Sequence, residues 1–159
     1  MREVSGTTWT FQIIILFILI FACFLTLVLS YSKAYIAKNE MLSIIEKYEG
    51  ITLDNGSKIG SLTIINSYLS DRGINTRGSC PASEGRIDWY GVKNYDGTYE
   101  KSTGGSGYLY CFSLNGTTGK QYYNVMLFYK FNLPVIGEIA KFKVKGRTDT
   151  FIGNKDRIG

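Results

Sequence analysis

Residues 11–29, FQIIILFILIFACFLTLVL, form an uninterrupted uncharged run in which only Gln12 and Thr26 are polar. A hydrocarbon core about 30 Å thick is crossed by roughly 20 residues of α-helix, because each residue rises ~1.5 Å. A helix of this length in a water-soluble core keeps one polar face, and this stretch has none. The pattern predicts a membrane-spanning helix over 11–30, after a short N-terminal segment, 1–10.

A secretory signal peptide is the rival reading of the same run. Arg2 would be the only basic side chain ahead of it, and the run exceeds the usual apolar length of about 7–15 residues. Ser32-Lys33-Ala34 supplies a small-x-small cleavage site. Charge and cysteine usage point in opposite directions for topology. Lys33, Lys38 and Lys47 beyond the span outweigh Arg2 before it, which favours a cytoplasmic C-terminal side. Cys80 and Cys111, outside the span, predict a disulfide and hence an oxidising compartment. Closing a loop of about thirty residues is worth ~3–4 kcal/mol in the chain-entropy model. Cys23 lies inside the apolar run, where it behaves as a small hydrophobe. The cysteine reading places the C-terminal region outside the cytoplasm, on a single-pass protein of the cell membrane.

About 130 residues follow the span, enough for one modest domain. Helical spacing continues past Ser30 with Tyr31, Tyr35, Met41, Leu42, Ile45 and Tyr48, so residues 31–49 read as an amphipathic extension of the same helix, ending at Glu49-Gly50. One helix from about Phe11 to Tyr48 would be ~55 Å long. The remaining domain, 50–159, starts with a turn at 53–57. A second helix follows in IGSLTIINSYLSDRG, stopped by Arg72-Gly73.

From Gly85 the period becomes two. Strands are expected at Arg86–Tyr90, Tyr108–Leu114, Tyr122–Phe131 and Lys141–Phe151, with turns at Asp96-Gly97, Asn115-Gly116 and NLPVIG and a flexible TGGSG segment at 103–107. In the last strand Phe142, Val144, Thr148 and Thr150 face one way, and Lys141, Lys143, Lys145, Arg147 and Asp149 the other. The fold class expected is α+β: a long N-terminal transmembrane helix, extended amphipathically and packed on an antiparallel sheet of three or four strands.

The stretches SYSKAYIAKNEMLSIIEKYEGI and YYNVMLFYKFNLPVIGEIAKFKVKGRTDTF resemble the juxtamembrane and C-terminal regions of TadE-like (tight-adherence) minor pilins and related single-pass pilus-like proteins. That resemblance covers the helix and the last forty residues. It implies a pilin-like fold and a non-enzymatic subunit that joins a pilus or surface filament through its hydrophobic helix, with Ile13, Leu16, Phe17, Ile20, Phe24 and Leu27 as the assembly face. It also implies the lipid bilayer, copies of the chain and other pilin-like subunits as partners. The chain departs from prepilin patterns at Phe11, where a glutamate usually follows a leader ending in glycine, here Gly6. The alternative is a membrane-tethered extracytoplasmic binding or adhesion module that does not polymerise.

Catalytic chemistry finds little footing. The chain has no histidine, so Ser-His-Asp and Cys-His arrangements and most zinc patterns are absent from it. Ser32-Lys33 and Lys101-Ser102 are adjacent only in sequence, and Glu84, Asp88, Asp96 and Glu100 read as solvated loop charges. No cofactor, metal or small-molecule substrate is expected. A net charge of +5 permits an anionic partner without demanding one, and nucleic acid is not expected. The row Lys141, Lys143, Lys145 and Arg147 is a candidate anion-binding face. It equally suits the wet face of an edge strand, where lysine deters stray pairing. Asn55-Gly56-Ser57 and Asn115-Gly116-Thr117 match the glycosylation pattern and read better as Asn-Gly turns.

Overall fold

A computed structural model describes residues 2–54, 59–83, 87–117, 119–133 and 137–150. One helix, α1 (Arg2–Lys47), holds 46 residues and is about 69 Å long. It begins nine residues before Phe11, because 2–10 contains no proline and only one glycine, whose helical penalty of about 1 kcal/mol is too small to stop propagation. Its C-terminus is a Schellman cap. The Gly50 amide donates to the Ile45 carbonyl at 2.8 Å and the Glu49 amide to the Glu46 carbonyl at 3.1 Å. Glu49, at φ 55, takes the left-handed position that the sequence reading gave to glycine, and Gly50 at φ 138 follows it.

The connection to α2 (Ser61–Asp71) is fixed by Thr52 and Ser61. The Ser61 hydroxyl donates to the Gly50 carbonyl and accepts from the Thr52 amide, both at 2.8 Å, while Thr52 Oγ1 accepts from the Ser61 amide at 3.0 Å. Residues 55–57, and with them part of the expected turn and the first glycosylation pattern, lie outside the described residues. A second Schellman cap ends α2, with Gly73 at φ 65 and the Ile74 amide donating to the Leu69 carbonyl at 3.0 Å.

Seven strands follow: β1 (Gly78–Ser79), β2 (Trp89–Val92), β3 (Glu100–Lys101), β4 (Ser106–Tyr108), β5 (Tyr110–Thr117), β6 (Lys120–Leu133) and β7 (Gly137–Arg147). Five of them form an antiparallel sheet in the order β3-β2-β5-β6-β7, and β1 pairs with β4 in a separate ribbon. The main sheet therefore exceeds the three or four strands expected, because the two-residue β3 adds to its edge. Beyond Tyr110, β5 no longer flanks β6, and β6 continues with β7 alone from Phe128↔Lys143 to Leu133↔Gly137.

One sheet face packs on the second half of α1 and on α2. Alternation along β5 and β6 brings Tyr110, Phe112, Tyr123, Val125 and Leu127 to that face, against Ala37, Met41, Ile44 and Ile45 of α1 and Leu62, Ile65 and Leu69 of α2. The opposite face carries a smaller core of Cys80, Tyr108, Cys111, Met126 and Phe128, roofed by the β1–β4 ribbon. The buried stripe of α1 differs from the expected one. Tyr31 and Tyr35 are exposed, while Ala34, Ala37 and the stem of Lys38 are buried, because the sheet approaches closely enough that only small or slender side chains fit. A Cβ on Gly146 of β7 would meet the Lys38 and Leu42 side chains at 2.8–2.9 Å.

Several strand and turn expectations shift. The segment Arg86–Tyr90 yields a strand at Trp89–Val92 instead, and 84–86 lies outside the described residues. Asn115-Gly116 is not a turn: both residues lie in the β5–β6 ladder, and the chain reverses between Thr117 and Lys120 with Gly119 at φ 92. The Gly-rich 103–107 segment is tied down, since Thr103 bridges Ala82 and Ser106–Gly107 enter β4. The last strand starts earlier, at Gly137, and ends at Arg147. The Leu-Pro turn at 134–136 and Phe151 lie outside the described residues.

Candidate functional site

The largest unsatisfied surface is the first half of α1. From Trp9 to Leu29 its large apolar side chains are exposed on every side, including Ile13, Leu16, Phe17, Ile20, Phe24 and Leu27, the six residues expected to form an assembly face. Full burial of one such side chain is worth about 1.5–3 kcal/mol, so together they represent tens of kcal/mol, more than the whole fold stability of a typical domain at about 5–15 kcal/mol. Among the described residues this is one stretch long and apolar enough to cross a membrane, and it is compatible with a single span and equally with a signal sequence. Its backbone is satisfied internally, as the hydrocarbon interior demands. Even the Thr26 hydroxyl donates inside the helix, to the Ala22 carbonyl at 2.9 Å. Cys23 is a half-exposed free thiol on this segment.

The two other cysteines meet. Cys80 and Cys111 form a disulfide with their Cα atoms 5.8 Å apart. Cys111 lies on the face of β5 away from α1, and Cys80 follows β1, so the bond clamps the β1–β4 ribbon to the sheet. Gly78 makes this approach feasible: a Cβ there would stand 2.2 Å from the Phe128 ring.

The predicted cationic row is in place. Lys141, Lys143, Lys145 and Arg147 are exposed along β7, the sheet edge, on the side away from α1. The row is not uniform. Arg147 places its guanidinium 3.7 Å from the centre of the Tyr122 ring. Lys141 and Lys143 instead border a cleft of about 560 Å³ between β7 and β1, which Arg77, Ser79 and Phe128 also line. The Arg77 guanidinium is engaged outside the cleft, donating to the Gly107 carbonyl at 2.9 Å and to Asn94 Oδ1 at 3.3 Å, and the Ser79 hydroxyl donates to the Gly105 carbonyl at 3.1 Å.

A second hollow, about 360 Å³, lies between α2 and the β2–β3 loop, with Asp54, Thr63, Asn66, Ser70, Asp71 and Asp96 on its walls. Asn66 is buried. Its Oδ1 accepts from the Tyr110 hydroxyl at 2.8 Å and its Nδ2 has no hydrogen-bond partner among the described residues. Burial pushes the Tyr110 hydroxyl well above its ordinary range. Sequence reasoning missed this hollow because its walls come from three segments brought together only by the fold.

The carboxylates singled out from the sequence serve local structure. Asp96 accepts from the Thr98 hydroxyl at 2.6 Å and the Thr98 amide at 3.0 Å, which hold its carboxyl below the usual value. Glu100 pairs with Lys93 at 2.6 Å and accepts from the Tyr108 hydroxyl at 2.8 Å, and Lys93 foremost favours its ionised form, holding the carboxyl below its usual value. Asp88 pairs with Lys101 at 2.7 Å. Glu84 lies outside the described residues. Ser102 accepts from the Gly104 amide at 3.2 Å, so neither member of the Lys101-Ser102 pair is directed at the other. Among the described residues no group of three or more His, Cys, Asp or Glu side chains could hold a metal ion. No protein-family model matches this chain, and neither a curated protein nor a solved structure does.

Proposed function

We propose that this chain is a non-enzymatic, single-pass, pilin-like subunit that assembles into a surface filament through the first half of α1. The observation that carries the reading is the form of α1 itself. One continuous helix is bare and apolar on all sides at one end and is the central core element of a disulfide-clamped domain at the other. Lipid and a bundle of like helices are similarly apolar, so such a helix can wait in the bilayer and transfer to sister helices without meeting water. Retention of the helix, against its removal as a signal sequence, is supported by Ala34. The small-x-small site ends there, and Ala34 is fully buried in the packed half of the helix, so cleavage would cut into the domain core. The disulfide supports an extracytoplasmic domain.

The tethered, non-polymerising binding module is the second reading, and the polar hollow with the unpartnered Asn66 amide supports it. Oxidative crosslinking of Cys23 in native membranes separates the two. The subunit reading expects covalent dimers that vanish in Cys23→Ser, and crosslinks extending to Phe17→Cys and Phe24→Cys. Monomer only at all three positions, with the chain missing from sheared surface material under the electron microscope, would reject assembly.

A further inference from the structure

We infer that the cleft between β1 and β7 is a headgroup site for an anionic phospholipid of the membrane that α1 spans. The position of the cleft comes first. The Phe142 ring of β7 stacks on Tyr31 of α1 at 6.3 Å between centroids, and Tyr31 is the second residue after the apolar run ends at Leu29. Lys141 and Lys143 flank Phe142 in sequence, so the cleft stands at the height where the helix leaves the hydrocarbon. The run of contacts up the helix agrees. Gly146 lies against Lys38 and Leu42, and the Asp149 amide donates to Glu46 at 2.9 Å. Strand and helix thus climb together away from the membrane, as rises of about 3.3 and 1.5 Å per residue require.

The chemistry of the lining follows. Lys141 and Lys143 supply two ammonium groups on one wall, and Arg77 adds positive charge nearby while its own donors serve Gly107 and Asn94. No carboxylate lines the cleft among the described residues. Two neighbouring ammonium groups suit a phosphodiester as point charges. The buried Phe128 ring gives the cleft an apolar wall, which suits the glycerol and ester region of a lipid better than a fully hydrated inorganic anion. Tyr31 and Tyr35, exposed at the same height, form the aromatic belt usual at such an interface.

The same geometry divides the cationic row. Lys145 and Arg147 stand about 7 and 13 Å further from the span than Lys143, at or beyond the screening length of physiological salt. Only the lower half of the row reaches the lipid.

This inference rests on α1 spanning the bilayer, which carbonate extraction of membranes tests separately. The experiment uses the full chain in nanodiscs of phosphatidylcholine mixed with phosphatidylglycerol, released into mild detergent for native mass spectrometry of retained lipid. The expected result is preferential retention of phosphatidylglycerol. Lys141→Gln with Lys143→Gln should lose it by about 30-fold, at one favourable lysine contribution per site. Lys141→Arg with Lys143→Arg should keep it, as should Lys145→Gln with Arg147→Gln. Equal loss in both glutamine pairs would overturn the site in favour of diffuse charge. No lipid preference in the parent chain would overturn it outright, and displacement by soluble glycerol phosphate would reassign it to a free phosphate. If the chain is carbonate-extractable, the membrane reading itself fails.

Discussion

Single side chains decide how closely the layers of this protein approach. Gly78 is the tightest case: Gly78→Ala would place a methyl 2.2 Å from the buried Phe128 ring, a distance that no real contact tolerates. Either the ring or the β1 backbone must move, and overpacking of this kind costs about 1–3 kcal/mol. Thermal unfolding of the full chain in detergent should show the loss, whereas alanine at the open Gly105 should leave stability nearly unchanged. Nothing in the local sequence distinguishes Gly78, because the ring it faces lies fifty residues away in β6. The reverse holds for Cys80 and Cys111. Once Cys23 is assigned to the apolar run, a single pairing remains, and it forms.

Elements were legible where periodicity is long and ambiguous where it is short. α1 was legible as an unbroken apolar run with a periodic extension, although its buried stripe differs from the one expected; α2 shows clear 3.6-residue spacing, and both helices carry Schellman caps at the expected stops. β7 shows its alternation in sequence as charged outward positions. Asn115-Gly116 misled because the dipeptide favours turns. Gly116 instead serves close backbone approach: a Cβ there would stand 2.1 Å from the Lys120 carbonyl oxygen. The two-residue strands β1 and β3 have too little sequence to show any period. Pairing of β3 with β2 is reinforced by Lys93, Glu100 and Tyr108, and this trio has a definite pH signature. Glu100 is held below its ordinary 4.5, so its contribution is present above that value and lost as pH falls through the lower folded value. Lys93 is held above its ordinary 10.5, so its contribution is present below that value and disappears as pH rises through the higher one. Carboxyl carbon chemical shifts followed by nuclear magnetic resonance should show Glu100 titrating below 4.5, and Lys93→Met should move that titration upward. A Glu100 that titrates identically in both proteins would contradict the pairing.

At the scale of the molecule, the arrangement is a bare rod joined to a head with two small cores, one on each sheet face. The head is held from the α1 side by packing and from the far side by one covalent bond with a sequence separation of 31. In the chain-entropy model that bond is worth about 3–4 kcal/mol, a large share of a domain's typical stability of about 5–15 kcal/mol. Reduction with dithiothreitol should therefore lower the unfolding temperature of the detergent-solubilised protein by well over ten degrees, and Cys80→Ala with Cys111→Ala should reproduce the reduced value. An unchanged transition would show that the β1–β4 ribbon is held without the bond.

The unbroken backbone of α1, with no proline between Arg2 and Lys47, leaves no joint between its two ends. A flexible tether would let the head wander over the membrane while its anchor turned beneath it. A single rigid shaft instead transmits torque: any rotation or tilt imposed on the apolar end swings the head through the same angle.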